Sequence, residues 1–216
     1  VTRAARAAGW IAEAIATGNP LAALPAEIAP RGRAEGERVA FAALEALGIA
    51  PCGVRMAEGI VGPMAEGRLL PDGATAAPLR HPVATAALIG VLAEGLQPED
   101  DARPRFAALH VAIDIADHRF TEAPLALGLR VADLAGLGFV VAGPPVTLLP
   151  ERVVIEARDL APREVLAPVA AAARRLGGLP AGALLVAAGL SAPLPPREGE
   201  VRADFGALGS LSARLG

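Results

Sequence analysis

Apolar positions open the chain at helical spacing. Between Thr2 and Thr17, residues Ala5, Trp10, Ile11 and Ile15 fall near one face, and Gly18-Asn19-Pro20 ends the run. A second helix is predicted over Arg33–Leu47, with Val39, Phe41, Ala43, Leu44 and Leu47 apolar and Gly48 as its stop. After Ala50 the pattern changes to short apolar segments between Gly and Pro. Val54–Ala57, Thr85–Leu92, Ala107–Ala116, Phe139–Ala142, Val153–Ala157, Ala183–Ala188 and Val201–Phe205 are predicted strands. Pro71-Asp72-Gly73 and Gly143-Pro144-Pro145 mark breaks between them. Two further helices fit, one around Ala123–Leu134 and one at Pro168–Leu176. Strands with scattered helices and no clean alternation predict a mixed α/β (α+β) sheet protein rather than a doubly wound one. The change at residue 50 divides the chain into an N-terminal helical lobe (1–50) and a strand-rich domain (51–216).

Composition sharpens this picture. The chain has 216 residues, of which 53% are hydrophobic but only 3% aromatic, so small and branched aliphatics must fill the core. Such a core gains from a subunit interface, and we expect a homo-oligomer. Every cation is Arg, since the chain has no Lys, and this removes Schiff-base chemistry. With net charge −3 and no basic run, nucleic acid is not an expected partner. A single Cys52 fits a reducing compartment and, with no cation beside it in sequence, reads as an inert thiol. The longest uncharged stretch, Leu176–Pro196, is broken by several Gly and Pro residues and predicts loop, strand, loop rather than a membrane span. We expect a soluble cytoplasmic protein with no membrane partner.

The side chains best suited to chemistry are concentrated in His110-Val111-Ala112-Ile113-Asp114-Ile115-Ala116-Asp117-His118-Arg119. On a strand, His110, Asp114 and His118 share one face; on a helix they lie one turn apart. Either period is expected to bring His110 and Asp114 together. Two imidazoles and a carboxylate suit proton transfer or a borderline metal, and equally a hydrogen-bonded set that fixes a strand end. His81-Pro82 precedes the Thr85 strand and offers either a pocket residue or a turn residue. No Ser sits in a nucleophile elbow, and no phosphate-cradling Gly loop is present.

Several pieces, in order, resemble the 2-keto-4-pentenoate hydratase family of the fumarylacetoacetate hydrolase superfamily. The tail Val201-Arg202-Ala203-Asp204-Phe205-Gly206-Ala207-Leu208-Gly209-Ser210-Leu211-Ser212 is the nearest match. Pro51-Cys52-Gly53-Val54-Arg55-Met56 is similar to the family's Gly-aromatic-Lys-Val strand, and Pro71-Asp72-Gly73-Ala74 to its Asp-Gly-Ala turn. Ile113–Arg119 resembles Leu-Glu-Ile-Val-Asp-Ser-Arg, and Val131-Ala132-Asp133 its Val-Ala-Asp-Asn segment. The resemblance implies a mixed β-roll with flanking helices and a metal pocket at the mouth of the roll.

Position by position, the resemblance also implies that the metal-binding Glu-x-Glu is lost, because those places hold Thr85 and Ala87. The third carboxylate falls on Asp114, the pocket Lys on Arg55 or Val54, and the active-site acidic loop near Glu66. Polar pocket positions fall on Leu134, Gly136 or Leu137, and Ala187, while Asp117, Arg119 and Asp133 remain. No cofactor is therefore expected, unless Asp114 anchors a remodelled Mg²⁺ or Mn²⁺ site; hard cations need several oxygen ligands. Any relocated chemistry falls to His110, Asp114, His118 and Glu66. Arg55, His81, Thr85, Arg119 and Asp133 are the expected ligand-binding residues. The resulting expectation is a divergent hydratase-fold protein that binds a small anionic, 2-oxo-acid-like molecule without metal-dependent lyase chemistry. Two alternatives stay open: an active hydratase using a His/Asp site, and a non-catalytic structural or regulatory subunit whose pocket is closed by Leu134 and Leu137.

Overall fold

A computed structural model describes residues 2–216. Helix α1 (Arg3–Thr17) starts at Thr2, whose hydroxyl accepts the Ala5 N–H, and stops at Gly18 in a left-handed conformation. Its buried stripe is Ala7, Ala8, Ile11, Ala12 and Ala14, whereas Ala5 and Trp10 face outward. The expected face was therefore rotated: small alanines, not the indole, let α1 sit close against α2 (Arg33–Ala46). Phe120 and Ala132 complete that cluster.

The strands follow in mixed order. β1 (Pro51–Ala57) and β2 (Ile60–Ala65) form a hairpin, and β3 (Leu69–Pro71) and β4 (Thr75–Ala76) are short. β5 (Val83–Leu92) and β6 (Phe106–Ala116) are the long central pair. After α3 (Leu127–Ala132) come β7 (Leu137–Ala142), β8 (Val153–Ile155), β9 (Arg158–Leu160) and α4 (Pro162–Arg175). β10 (Leu184–Ala187), β11 (Glu200–Asp204) and β12 (Ser210–Leu215) close the chain. The main sheet has the order β2-β1-β10-β5-β6-β7-β3, with β1–β10 and β3–β7 parallel and the rest antiparallel. A second sheet, β11-β12-β4, covers one of its faces.

Alternation along β5 and β6 sorts side chains between two interiors. Leu88, Ile113 and Ile115 point at the second sheet and pack with Phe205 and Leu211. Ala87, Ile89 and Ala112 point the other way and pack with Leu44, Leu134, Leu137 and Val140. Asp114 follows the second set, so the strand period aims a carboxylate at the apolar side of the roll, near its mouth.

Two helices differ from their expected spans. α4 begins six positions before Pro168, at Pro162, whose missing N–H costs nothing in the first turn. Pro168 lies inside the helix; the carbonyl it leaves free belongs to Glu164, which is exposed and can be hydrated. α3 is shorter than Ala123–Leu134 because Leu134 (φ 52°), Ala135 (φ 53°) and Gly136 (φ 72°) turn left-handed in succession. Such a turn costs about 1–2 kcal/mol per non-glycine residue, so tertiary contacts must hold it. Gly62 on β2 makes room: a Cβ there would lie 2.7 Å from the Leu134 carbonyl oxygen. Among the described residues, no helix is long and apolar enough to cross a membrane.

Candidate functional site

A cavity of about 260 Å³ opens at the mouth of the roll, between β1, β5, β6 and the left-handed turn. At its floor Arg55 of β1 meets Asp114 of β6. Nε donates to Oδ1 at 2.5 Å and Nη2 to Oδ2 at 2.5 Å, a two-pronged pair with side chains 0% and 2% exposed. Nη1 donates to the Ala135 carbonyl at 2.8 Å, which is where the left-handed turn directs that oxygen. β10 and β5 lie between the two strands, a separation of about 14 Å in a flat sheet, so the curl of the sheet is what brings these side chains together.

Thr85 stands directly across from Asp114 in the β5–β6 ladder, and its hydroxyl accepts the Gly189 N–H at 3.1 Å. His81 and His118 stack face to face above, with ring centroids 4.2 Å apart. His118 Nδ1 donates to the Phe120 carbonyl, which leaves Nε2 uncommitted. Asp117 turns its carboxylate to the His81 N–H at 2.8 Å. Asp133, 1% exposed, accepts from the Arg119 N–H and guanidinium, and burial pushes it up to about 6 while Arg119 pulls the other way. Arg119 also donates from Nη1 to the carbonyls of Asp117 and Asp133 and from Nη2 to that of Leu137. Arg130 reaches the rim and pairs with Glu58 at 3.1 Å.

The expected His110–Asp114–His118 cluster does not form. On an extended strand four residues span about 13 Å, so a shared face is not a contact. His110 donates to the Gly143 carbonyl at 2.8 Å, away from the cavity, and Asp114 is taken by Arg55. Glu66 is exposed in the turn between β2 and β3 and does not line the cavity. Arg55, His81, Thr85, Asp114, His118 and Asp133 do line it, whereas Arg119 stands behind Asp133. Leu134 and Leu137 are buried in the apolar cluster beneath and leave the cavity open. Sequence reasoning missed Arg130 and Glu58, which carry no motif. Cys52 is half-buried, with burial pushing its thiol up, as expected of an inert thiol.

These groups do not fit a divalent cation. Both Asp114 oxygens already hold a guanidinium, Thr85 offers one hydroxyl, and Ala87 is apolar and packed. Among the described residues, no three His, Cys, Asp or Glu side chains are placed to share a metal. A site for Mg²⁺ needs at least one or two free carboxylates.

No protein-family model and no curated protein matches the sequence. Solved structures do match the fold. The 4-oxalocrotonate decarboxylase from Pseudomonas putida G7, complexed with magnesium and adipate, superposes with a TM-score of 0.75 at 21% identity, covering 100% of this chain and 98% of that one. The same enzyme with calcium and acetate gives 0.70 at 20% identity, with the same coverage. The 5-carboxymethyl-2-hydroxymuconate delta-isomerase from Mycobacterium smegmatis gives 0.50 at 13%, over 76% of this chain and 71% of that one. This is a fumarylacetoacetate-hydrolase-like fold. The expected mixed roll with flanking helices is what the chain forms, and it does so over its whole length.

Proposed function

We propose that this protein binds a small organic acid of the 2-oxo-acid class in the cavity at the mouth of the roll, without metal-dependent lyase chemistry. The observation that carries this reading is the Arg55–Asp114 pair. An internal guanidinium neutralises the one carboxylate left where the resemblance implies a metal site. The cavity itself persists, with a volume suited to a molecule of this size. Its inner carboxylates are satisfied internally, Asp114 by Arg55, Asp133 by Arg119 and Asp117 by backbone N–H, and Glu58 pairs with Arg130 at the rim. The donors left uncommitted are the Thr85 hydroxyl, the His81 ring and Arg130, whose rim pair with Glu58 is solvent-exposed and weak, while His118, with its ring proton on Nδ1, presents Nε2 as an acceptor. An acceptor-rich acid complements that set. The Pseudomonas putida G7 decarboxylase, complexed with magnesium and adipate, supports a carboxylate ligand for this fold.

The test is calorimetry of the purified protein with 2-oxoadipate and adipate, with EDTA or Mg²⁺ present, alongside turnover assays on 2-oxo acids and 2-hydroxydienoates. We expect one acid bound in this cavity, equal affinity with EDTA and with Mg²⁺, loss of that binding in His118→Ala with Arg130→Ala, and no turnover. Binding that requires Mg²⁺, or Mg²⁺-dependent turnover, would overturn the reading.

A further inference from the structure

A second cavity, of about 210 Å³, shares the Asp117–His118 wall with the first and lies against the C-terminal end of α1. Its charged lining is Arg68, Arg80 and Arg119 against Asp117 alone. Arg119 is committed to Asp133 and the carbonyls already described, whereas Arg80 is exposed and makes a single side-chain bond, to the Gly18 carbonyl at 2.8 Å. Arg68 is different. Its guanidinium lies 4.8 Å over the Phe139 ring, and no protein acceptor takes any of its side-chain N–H groups among the described residues. Asp117, the one carboxylate facing it, is engaged by the backbone N–H groups of His81 and Arg80.

We propose that this second cavity is an oxyanion-binding site, with Arg68 presenting its planar fork to a carboxylate or phosphate group. The Phe139 ring, 4.8 Å from the guanidinium carbon, supports Arg68 from one side by a cation–π contact, and its planar fork can make two parallel hydrogen bonds. With Arg119 neutralised by Asp133, the lining still sets Arg68 and Arg80 against Asp117, a net positive charge. Desolvation and the neighbouring Arg119 both push the Arg68 guanidinium below its ordinary value, and a bound anion relieves both.

The experiment is calorimetry and thermal shift on the full chain in low-chloride buffer, with inorganic phosphate in one arm and adipate in the other. Wild type and Arg130→Ala, in which the first cavity's own acid binding is weakened, are each compared with and without Arg68→Gln and Arg68→Lys, all checked by circular dichroism. We expect saturable binding that survives in the Arg130→Ala background, that adding Arg68→Gln weakens by at least about tenfold, and that Arg68→Lys in its place restores in part. Binding of phosphate alone identifies a phosphate group as the natural anion, and binding of adipate through Arg68 identifies a carboxylate. No binding in either arm, or binding indifferent to both Arg68 variants, overturns the proposal. Adipate binding that Arg130→Ala abolishes outright belongs to the first cavity alone and, with no phosphate binding beside it, also overturns the proposal.

Discussion

Replacing Arg55 with Met leaves the Asp114 carboxylate buried with no counter-charge. Arg55→Met removes both charge-assisted bonds to Asp114 and the bond to the Ala135 carbonyl. Breaking one side of a buried pair costs about 3–5 kcal/mol, chiefly because the remaining charge has no partner in low dielectric. The orphaned Ala135 carbonyl adds to that cost, and the left-handed turn loses the contact that holds it. We take about 4 kcal/mol, a large fraction of the total for a typical domain. With an m-value of about 2 kcal/mol/M, the urea midpoint falls by about 2 M. Urea unfolding followed by circular dichroism reads this directly. The control is Arg55→Met with Asp114→Leu. Removing both charges replaces an expensive pair by apolar contact with Val140 and Leu137, and recovers most of the loss. A cost under about 1 kcal/mol for Arg55→Met, or additive costs in the double variant, would refute the claim that the pair is buried and mutually dependent.

Further outcomes follow from the same geometry. Asp133 sits at about 6 in the folded chain against 3.8 unfolded, so its stabilising contribution is full below about 4 and is lost as pH rises through 6. The stability of wild type minus that of Asp133→Asn should therefore grow by about 1 kcal/mol from pH 7 to pH 5 in paired urea titrations; a flat difference means the carboxyl is not perturbed. Gly62→Ala places a Cβ 2.7 Å from the Leu134 carbonyl and 2.8 Å from Ala135 Cβ, and should cost about 1–3 kcal/mol while loosening the Arg55 contact to Ala135. Ala135→Gly relieves a left-handed alanine and should stabilise by about 0.5–1 kcal/mol; destabilisation would show the turn is unstrained.

How far the sequence spoke depended on the range of the interaction. β5, β6 and the first two helices were legible because their periodicity runs over many residues. β3, β4 and β9 are two or three residues long and exist only because a ladder partner lies beside them, so no local signal marks them. Arg55 and Thr85 were named as cavity residues from the resemblance alone, and Asp114 from both the strand period and the resemblance. Their pairing was not legible: Arg55 and Asp114 are 59 positions apart and meet only through the curl of the sheet. The His110–Asp114 expectation went wrong for a related reason, since facing the same way on a strand still leaves residues a dozen ångströms apart. Arg68 carried no signal at all; its significance comes from what fails to approach it.

The pair at the cavity floor has a further consequence for metal binding. Thr85 faces Asp114 across the ladder, with Cβ atoms of such pairs about 5 Å apart, so Thr85→Glu brings a second carboxylate to the same spot. If the lack of carboxylates alone excluded a cation, that change would create a site. The geometry argues otherwise, because the Arg55 guanidinium already occupies the acceptor oxygens and would share itself with the new carboxylate. Thr85→Glu alone should therefore bind neither Mg²⁺ nor Mn²⁺. Thr85→Glu with Arg55→Met leaves two buried carboxylates in mutual repulsion, a state that a divalent cation relieves. Its melting temperature should climb with added Mn²⁺ and fall back in EDTA, with a stabilisation of about 2.7 kcal/mol at a hundredfold excess over Kd. Equal metal affinity with Arg55 present would show that the guanidinium does not stand in the cation's place. Metal-dependent stabilisation only without Arg55 would show that the protein supplies its own fixed positive charge there, and that regaining a metal site requires removing that charge as well as adding a ligand.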